Sequence, residues 1–189
     1  MAYVGDSRLA GLNNYALFAD DRLSRRMLTL FDESRRVNGL VAERTPTAWQ
    51  QVSVTYSVLW VLMVRDFAWW RDDAAFVRAR LRGVRAMVDE VLALVGDDGL
   101  LGVTPGWPFV DWVPAWHEGC GPGVREGDSS IVNLHLLLAL RAQVELEINF
   151  GEPELAALAS RRADALAKSI LERFLECRTR FAGRHERAD

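Results

Sequence analysis

The chain contains little cysteine. Its 189 residues include only two, Cys120 and Cys177, which stand far apart in otherwise cysteine-free sequence. This arrangement matches neither a disulfide framework nor the paired ligands of a structural zinc site. We therefore expect two free thiols, no bound metal and no cofactor.

A surplus of positive charge is also missing. The 23 Lys and Arg residues are interleaved with 26 Asp and Glu residues, and the formal net charge is -3. Because nucleic-acid binding usually needs a basic face, we expect no nucleic-acid partner.

No hydrophobic run approaches the length of a membrane span. The longest strongly apolar run near the middle, Val58 to Val64, has seven residues before Arg65, whereas a span needs about 20. The first residues carry neither the basic nor the apolar region of a secretory signal. We expect a protein without membrane contact that is located in the cytoplasm.

What the chain does have is helical periodicity. Apolar residues recur at three-to-four spacing and alternating runs are few, which predicts an all-α fold. Six helices are predicted, at about 6–19, from about 20 onward, and at about 51–70, 73–95, 129–150 and 153–176. The third is apolar nearly all round and the fourth carries charges among its apolar positions, which predicts one inner and one outer helix.

The six helices form three hairpins, and the segments that follow the hairpins repeat. Asn38-Gly39-Leu40-Val41 follows the first hairpin and Asp98-Gly99-Leu100-Leu101 the second, whereas residues 179–182 after the third lack the Gly-Leu pair. Such hairpins, joined by short extended excursions, predict a helical toroid, because no hairpin buries its apolar face alone. Since a closed ring takes about six hairpins, residues 1–176 predict half a toroid, followed by a charged, frayed tail at 177–189.

The connection between the fourth and fifth helices is rich in aromatic residues. Residues 107–118 contain Trp107, Trp112 and Trp116 together with Asp111. Surface connections are usually polar, so these rings need either a packing partner or a ligand. Flat rings beside carboxylates suit a sugar, which makes the four residues candidates for a carbohydrate site. The alternative is that the rings cover the open end of the helical core.

Several motifs resemble, in order and in spacing, the six-hairpin catalytic domain of bacterial α-L-rhamnosidases, glycoside hydrolase family 78. They are Tyr3-Val4-Gly5-Asp6-Ser7-Arg8, Asp20-Asp21-Arg22-Leu23, Phe31-Asp32-x-Ser34-Arg35, Glu43-Arg44-x-Pro46 and Phe109-Val110-Asp111-Trp112. The similarity extends from Tyr3 to about Phe174 and corresponds to the first half of the family's toroid.

The resemblance implies an (α/α)6 fold and an inverting glycosidase, in which an acid protonates the leaving oxygen and a base activates water. Inversion uses two carboxyl groups about 6.5–9.5 Å apart. In the family the acid is a Glu a few residues before the Gly-Asp pair that Gly5 and Asp6 match, and the base lies in the second half of the toroid. We therefore expect no catalytic residue in this chain and little or no hydrolysis by it alone.

The same resemblance implies sugar-binding roles for residues that match the family's recognition wall. Asp6 aligns with a carboxylate that binds sugar hydroxyls, and Tyr3 stands where many members have Trp. Asp111 and Trp112 match an aspartate-tryptophan pair at the mouth of the funnel. Arg44 lies in a stretch where relatives have Ser-Arg-aromatic-Pro, although the aromatic position holds threonine here.

Some of these signals have structural explanations as well. Asp6 is suited to cap the first helix, because its carboxylate can accept backbone N–H bonds there. Trp49, Trp60, Trp69 and Trp70 lie in or beside the apolar third helix. Rings at helical spacing usually belong to the core, and we expect these four to be buried.

The sequence therefore predicts a fragment of an α-L-rhamnosidase-like inverting glycosidase, which carries part of the wall for a rhamnosyl-type sugar but lacks the acid and the base. The alternative is a non-catalytic helical module that binds a sugar or a partner protein. In either case, half a ring leaves apolar inner helices uncovered at two hairpin edges. Large exposed apolar patches mark interaction sites, so we expect a homo-oligomer that forms through these edges.

Overall fold

A computed structural model describes residues 1–35, 39–49 and 51–175. Its helices are α1 (Val4–Leu17), α2 (Arg22–Glu33), α3 (Val54–Trp70), α4 (Ala74–Leu92), α5 (Ser130–Phe150) and α6 (Pro153–Ile170), with a π-helical turn at Leu171–Leu175 and a 3-10 turn at His117–Gly119. Two short strands, β1 (Ala2–Tyr3) and β2 (Arg44–Thr45), pair antiparallel. The helices confirm the predicted all-α fold. The predicted tail and the third copy of the repeat lie outside the described residues.

The helices pair into three hairpins that stand side by side. The central inner helix, α3, contacts α1 on one flank and α5 on the other. Each of the first two outer helices packs against its own partner and also against the next inner helix, α2 against α3 and α4 against α5. The hairpins therefore form the predicted arc of a helical toroid, in which an outer helix bridges two neighbouring hairpins.

The central helix α3 is buried because both of its flanks are covered. Trp60 and Phe67 are fully buried. The Trp60 indole donates a hydrogen bond to the carbonyl oxygen of Leu28 at 3.2 Å, which satisfies a polar group inside the core. Tyr15 of α1 meets the Phe67 ring edge to face, with 6.1 Å between the ring centroids. Through these contacts α3 holds the first hairpin against the second.

Only one of the four tryptophans expected in the core lies there. Trp60 is 0% exposed, whereas Trp69 is 74% exposed and Trp49 and Trp70 are exposed as well. Trp69 and Trp70 belong to the last turn of α3, and Trp49 lies in the connection before it. The expectation was wrong for these three because none lies in the middle of α3, where α1 and α5 cover both flanks.

The repeated segments after the first two hairpins are turns that pack on the next outer helix. Gly39 and Gly99 have φ values of 72° and 74°, in the left-handed region that favours glycine. A Cβ at Gly39 would lie 2.5 Å from Cγ of Glu90 in α4, and one at Gly99 would lie 2.5 Å from Oγ of Ser169 in α6. The sequence repeat is thus a structural repeat that joins consecutive hairpins.

A buried ion pair joins the second hairpin to the third. The carboxylate of Glu147 in α5 is fully buried and accepts two hydrogen bonds from Arg85 of α4, at 2.7 and 2.8 Å. It also accepts the backbone N–H of Glu152 at 3.0 Å. Burial acts to raise the pKa of Glu147, but the bonds from Arg85 outweigh burial and hold the pKa below its ordinary value. The pair fixes α5 against α4.

Candidate functional site

The two short strands bring the N-terminal motif and the Glu43-Arg44 motif together. Tyr3 of β1 stands opposite Arg44 of β2, and the next backbone N–H, of Val4, donates to the carbonyl oxygen of Glu43 at 3.0 Å. The Arg44 guanidinium donates to the Tyr3 hydroxyl at 2.8 Å and lies over its ring. Two predicted site residues from distant parts of the sequence are therefore direct neighbours.

Asp6 is exposed in the first turn of α1 and does not cap it. The helix begins at Val4, so Tyr3 occupies the cap position, and no side chain caps the helix there. The positive end of the helix dipole nevertheless stabilises a carboxylate in the first turn. Asp6 and Tyr3 line the same end of a groove between α1 and α2. No described residue bonds to the Asp6 carboxylate, which is therefore accessible to a ligand.

Tyr56, in the first turn of α3, connects the two parts of the site and was missed by the sequence reasoning. A Cβ at Gly5 would lie 3.3 Å from Cζ and from the hydroxyl oxygen of Tyr56, so the missing side chain of Gly5 makes room for the phenol. Among the described residues, the Tyr56 hydroxyl has no hydrogen-bond partner. Burial, followed by the negative charges of Asp6, Glu43 and Asp111, raises the pKa of Tyr56 to about 12. The hydroxyl therefore keeps its proton at neutral pH, with carboxylates of three segments around it.

The aromatic connection folds back on itself around Phe109. Phe109 is buried, lies edge to face with Tyr56 at 5.6 Å, and packs against Trp107 and Trp112 at 4.6 and 5.1 Å between ring centroids. Its carbonyl oxygen accepts a hydrogen bond from the Thr55 hydroxyl at 2.5 Å. These contacts anchor the connection on the start of α3.

The three tryptophans of this connection have different surroundings. Trp107 is half-buried, and its indole donates to the carbonyl oxygen of Glu118 at 3.2 Å. Trp112 is 70% exposed. Trp116 is half-buried, and its ring lies 3.5 Å from the place of a Cβ on Gly121. The structure therefore brings Trp107 and Trp112 together but leaves Trp116 outside that cluster.

Glu43 is a buried carboxyl group beneath the site. It is buried, and its Oε2 atom has no hydrogen-bond partner among the described residues. Burial raises the pKa of Glu43 to about 7, although the neighbouring Arg44 opposes the rise. The sequence predicted a role for Arg44 but not for its neighbour Glu43. No pattern in the sequence indicates that the Glu43 side chain turns inward.

Neither a metal-binding cluster nor a membrane-spanning helix is found among the described residues. No group of three or more His, Cys, Asp or Glu side chains in the described ranges is arranged to hold a metal. In the same ranges, no helix is both long and apolar enough to cross a bilayer. Cys120 is a free, buried thiol, while Cys177 falls outside the described part of the chain.

An arc of helical hairpins with acidic and aromatic side chains at the connections between them defines a domain of the toroidal glycosidase class. The specific family is also clear. Residues 1–189 match the bacterial alpha-L-rhamnosidase 6 hairpin glycosidase domain, and the chain belongs to that family. No curated protein is significantly similar to it.

Two solved structures show the likeness in three dimensions. The crystal structure of the GH78 family rhamnosidase of Bacillus sp. GL1 is 31% identical with a TM-score of 0.79, over 88% of this chain and 17% of that one. The structure of a rhamnosidase from Klebsiella oxytoca with rhamnose bound is 25% identical with a TM-score of 0.77, over 90% of this chain and 32% of that one. The chain thus spans less than a third of either relative.

Proposed function

We propose that this chain forms part of the sugar-recognition wall of an α-L-rhamnosidase-type glycosidase and binds a terminal rhamnosyl-type sugar. The observation that carries the proposal is the grouping of Asp6, Tyr56 and Asp111 beside the exposed ring of Trp112. These residues come from α1, α3 and the aromatic connection, and Tyr56 is close enough to both carboxylates for their charges to raise its pKa.

The chemistry of the group suits a neutral sugar. The carboxylate oxygens of Asp6 and Asp111 accept hydrogen bonds, whereas the Tyr56 hydroxyl donates one, so together they match hydroxyls that both donate and accept. The exposed face of Trp112 can pack on the apolar C–H face of a sugar ring. An anionic sugar would meet the charges of Asp6 and Asp111, and the cation of Arg44 is already bonded to Tyr3.

We further propose that the chain alone does not hydrolyse glycosides. By resemblance, the family's general acid lies upstream of Gly5-Asp6 and its general base in the second half of the toroid, and neither position falls among these 189 residues. Inversion needs both carboxyl groups, on opposite faces of the bond that is cleaved. The chain would then bind sugar without turnover.

Calorimetric titration of the full chain with L-rhamnose tests the binding. We expect saturable binding that Asp111→Asn weakens about tenfold or more, because a hydrogen bond to a charged group contributes about 1.5–3 kcal/mol. The matched control is Asp72→Asn, at an exposed carboxylate after α3, which should not change affinity. Absence of saturable binding would contradict the proposal.

Release of nitrophenol from 4-nitrophenyl α-L-rhamnoside tests the second part. No release above the buffer rate is expected from the pure chain. Release that disappears in Asp111→Asn but persists in Asp72→Asn would show that the chain is catalytic and would overturn this part alone.

A further inference from the structure

The first edge of the arc is an uncovered groove between α1 and α2. Its volume is about 530 Å³, and its walls include Ala10, Gly11, Leu23 and Met27. Tyr3 and Asp6 of the candidate sugar site line the same groove. On the solvent side of α1 and just after it, Leu9, Leu17 and Phe18 are also exposed. This edge is apolar and continuous with the sugar site.

The last edge of the arc is a second uncovered groove, between α5 and α6. Its volume is about 360 Å³, and it is lined by Val144 and Ile148 of α5 and by Pro153, Ala156, Ala157 and Ser160 of α6. Ile148 is 67% exposed. Because the α6 side chains here are small, another helix can approach the α6 backbone closely.

The central outer helix α4 differs from both edges. Large exposed hydrophobic residues occur on α1, α2 and α5 of the two edge hairpins, whereas the described part of the middle hairpin has none on α4 and only Trp69 and Trp70 at the end of α3. On a soluble protein, a large exposed patch of apolar side chains marks an interaction site. The two edges are therefore candidate interfaces.

The packing within the chain indicates what covers them. Each outer helix contacts the inner helix of the following hairpin, as α2 contacts α3 and α4 contacts α5. Within the described residues, α6 has no following inner helix and α1 has no preceding outer helix. We propose that a second copy of this chain supplies both, so that α6 of each copy packs into the α1–α2 groove of the other.

This head-to-tail pairing gives a closed ring of two copies. A head-to-tail contact produces an open filament unless the rotation between copies completes a circle. Three hairpins from each of two copies give the six of the family's domain, related by a twofold axis along the toroid. Since Tyr3 and Asp6 line the groove that α6 would enter, the second copy would also form the neighbouring wall of the sugar site.

Light scattering on the full chain after size-exclusion chromatography tests the proposal. We expect a mass about twice the 21.3 kDa of one chain. Leu23→Glu in the first edge and Ala157→Glu in the last should each raise the dimer dissociation constant about tenfold or more. The matched control is Val103→Glu in a loop, since Val103 is 63% exposed and Leu23 is 64% exposed. A monomer at tens of micromolar would overturn the proposal and leave further hairpins of a longer polypeptide as the occupants of the edges.

Cysteine cross-linking tests which edges meet. Leu23→Cys and Ala157→Cys variants, oxidised separately and as a mixture, should give a disulfide-linked dimer only in the mixture, above the background of the parent chain. A cross-link in either variant alone would show like edges meeting. Masses that grow with concentration beyond the dimer would show open chains, and either result would contradict a closed head-to-tail pair. The experiment is independent of sugar binding.

Discussion

The inner helices α1 and α3 have the same place in their hairpins but opposite surroundings. In α3, eleven of 17 residues are buried, whereas α1 buries only Val4 and Tyr15 of its 14. The difference follows from position in the arc, since α3 has a hairpin on each side and α1 has one. The burial of an inner helix here therefore depends on its neighbours, and within the described residues α1 has a neighbouring hairpin on one side only.

The largest expected effect comes from removing the ring at the centre of α3. Trp60→Ala should lower the free energy of unfolding by about 3–5 kcal/mol, because it leaves a cavity in the core. Trp69→Ala, at an exposed ring of the same helix, should change it by less than about 0.5 kcal/mol. Urea unfolding followed by circular dichroism measures both. Equal losses would mean that the contrast between the covered and open parts of α3 has no energetic basis.

The next largest effect concerns the charged contact between the second and third hairpins. Glu147→Gln should destabilise the chain by about 3 kcal/mol, because the fully buried side chain loses its charge and with it the ion pair to Arg85. Glu145→Gln should cost less than about 1 kcal/mol, because the Glu145 side chain is 39% exposed and lies 3.9 Å from Arg65. A loss below 1 kcal/mol in Glu147→Gln, by urea unfolding at neutral pH, would show that apolar packing alone holds the two hairpins together.

The contrast between α1 and α3 also separates what the sequence could predict from what it could not. Apolar residues around every face of α3 predict a helix with neighbours on both sides, and the glycine-containing repeats predict where hairpins end. Periodicity cannot tell where along the helix those neighbours stop, so Trp69 and Trp70 were assigned to the core.

The site was predictable where its residues stand in motifs. Tyr3, Asp6, Asp111 and Trp112 belong to loops or helix starts and carry a recognisable pattern, although their roles remain predictions. The sequence did not predict Tyr56 as a site residue, because an aromatic residue on an apolar helix has the same sequence pattern whether it fills the core or lines a site. The room for its phenol depends on Gly5, which lies in another segment.

The two buried glutamates should respond to pH in opposite directions. Glu43 has a pKa raised from 4.5 to about 7 in the folded chain, so between these values the folded state holds a proton that the unfolded state has lost. Stability should therefore fall as pH rises from 5 to 8, by about 2 kcal/mol for this group. Glu147, with its lowered pKa, stabilises the fold above its unfolded value and loses that contribution in acid.

Comparison of the parent chain with Glu43→Gln isolates the effect. Urea unfolding at pH 5 and pH 8 should show a smaller decrease in the variant, because a glutamine at this position does not titrate. The same decrease in both proteins would mean that Glu43 is paired or hydrated in solution.

The smallest expected effect tests whether the turn after each hairpin is an energetic repeat. Gly39→Ala and Gly99→Ala should each lower stability by about 1 kcal/mol, because alanine is strained at positive φ and its Cβ would crowd α4 or α6. Gly102→Ala is the control, since the nearest atom to its Cβ would be 3.8 Å away and its φ is not positive. If only Gly39→Ala is destabilising, the turn on α6 adds little to the last edge, because within the described residues no further hairpin packs on α6. Equal losses would instead show that each turn holds the next outer helix in place, at the edge as in the middle of the arc.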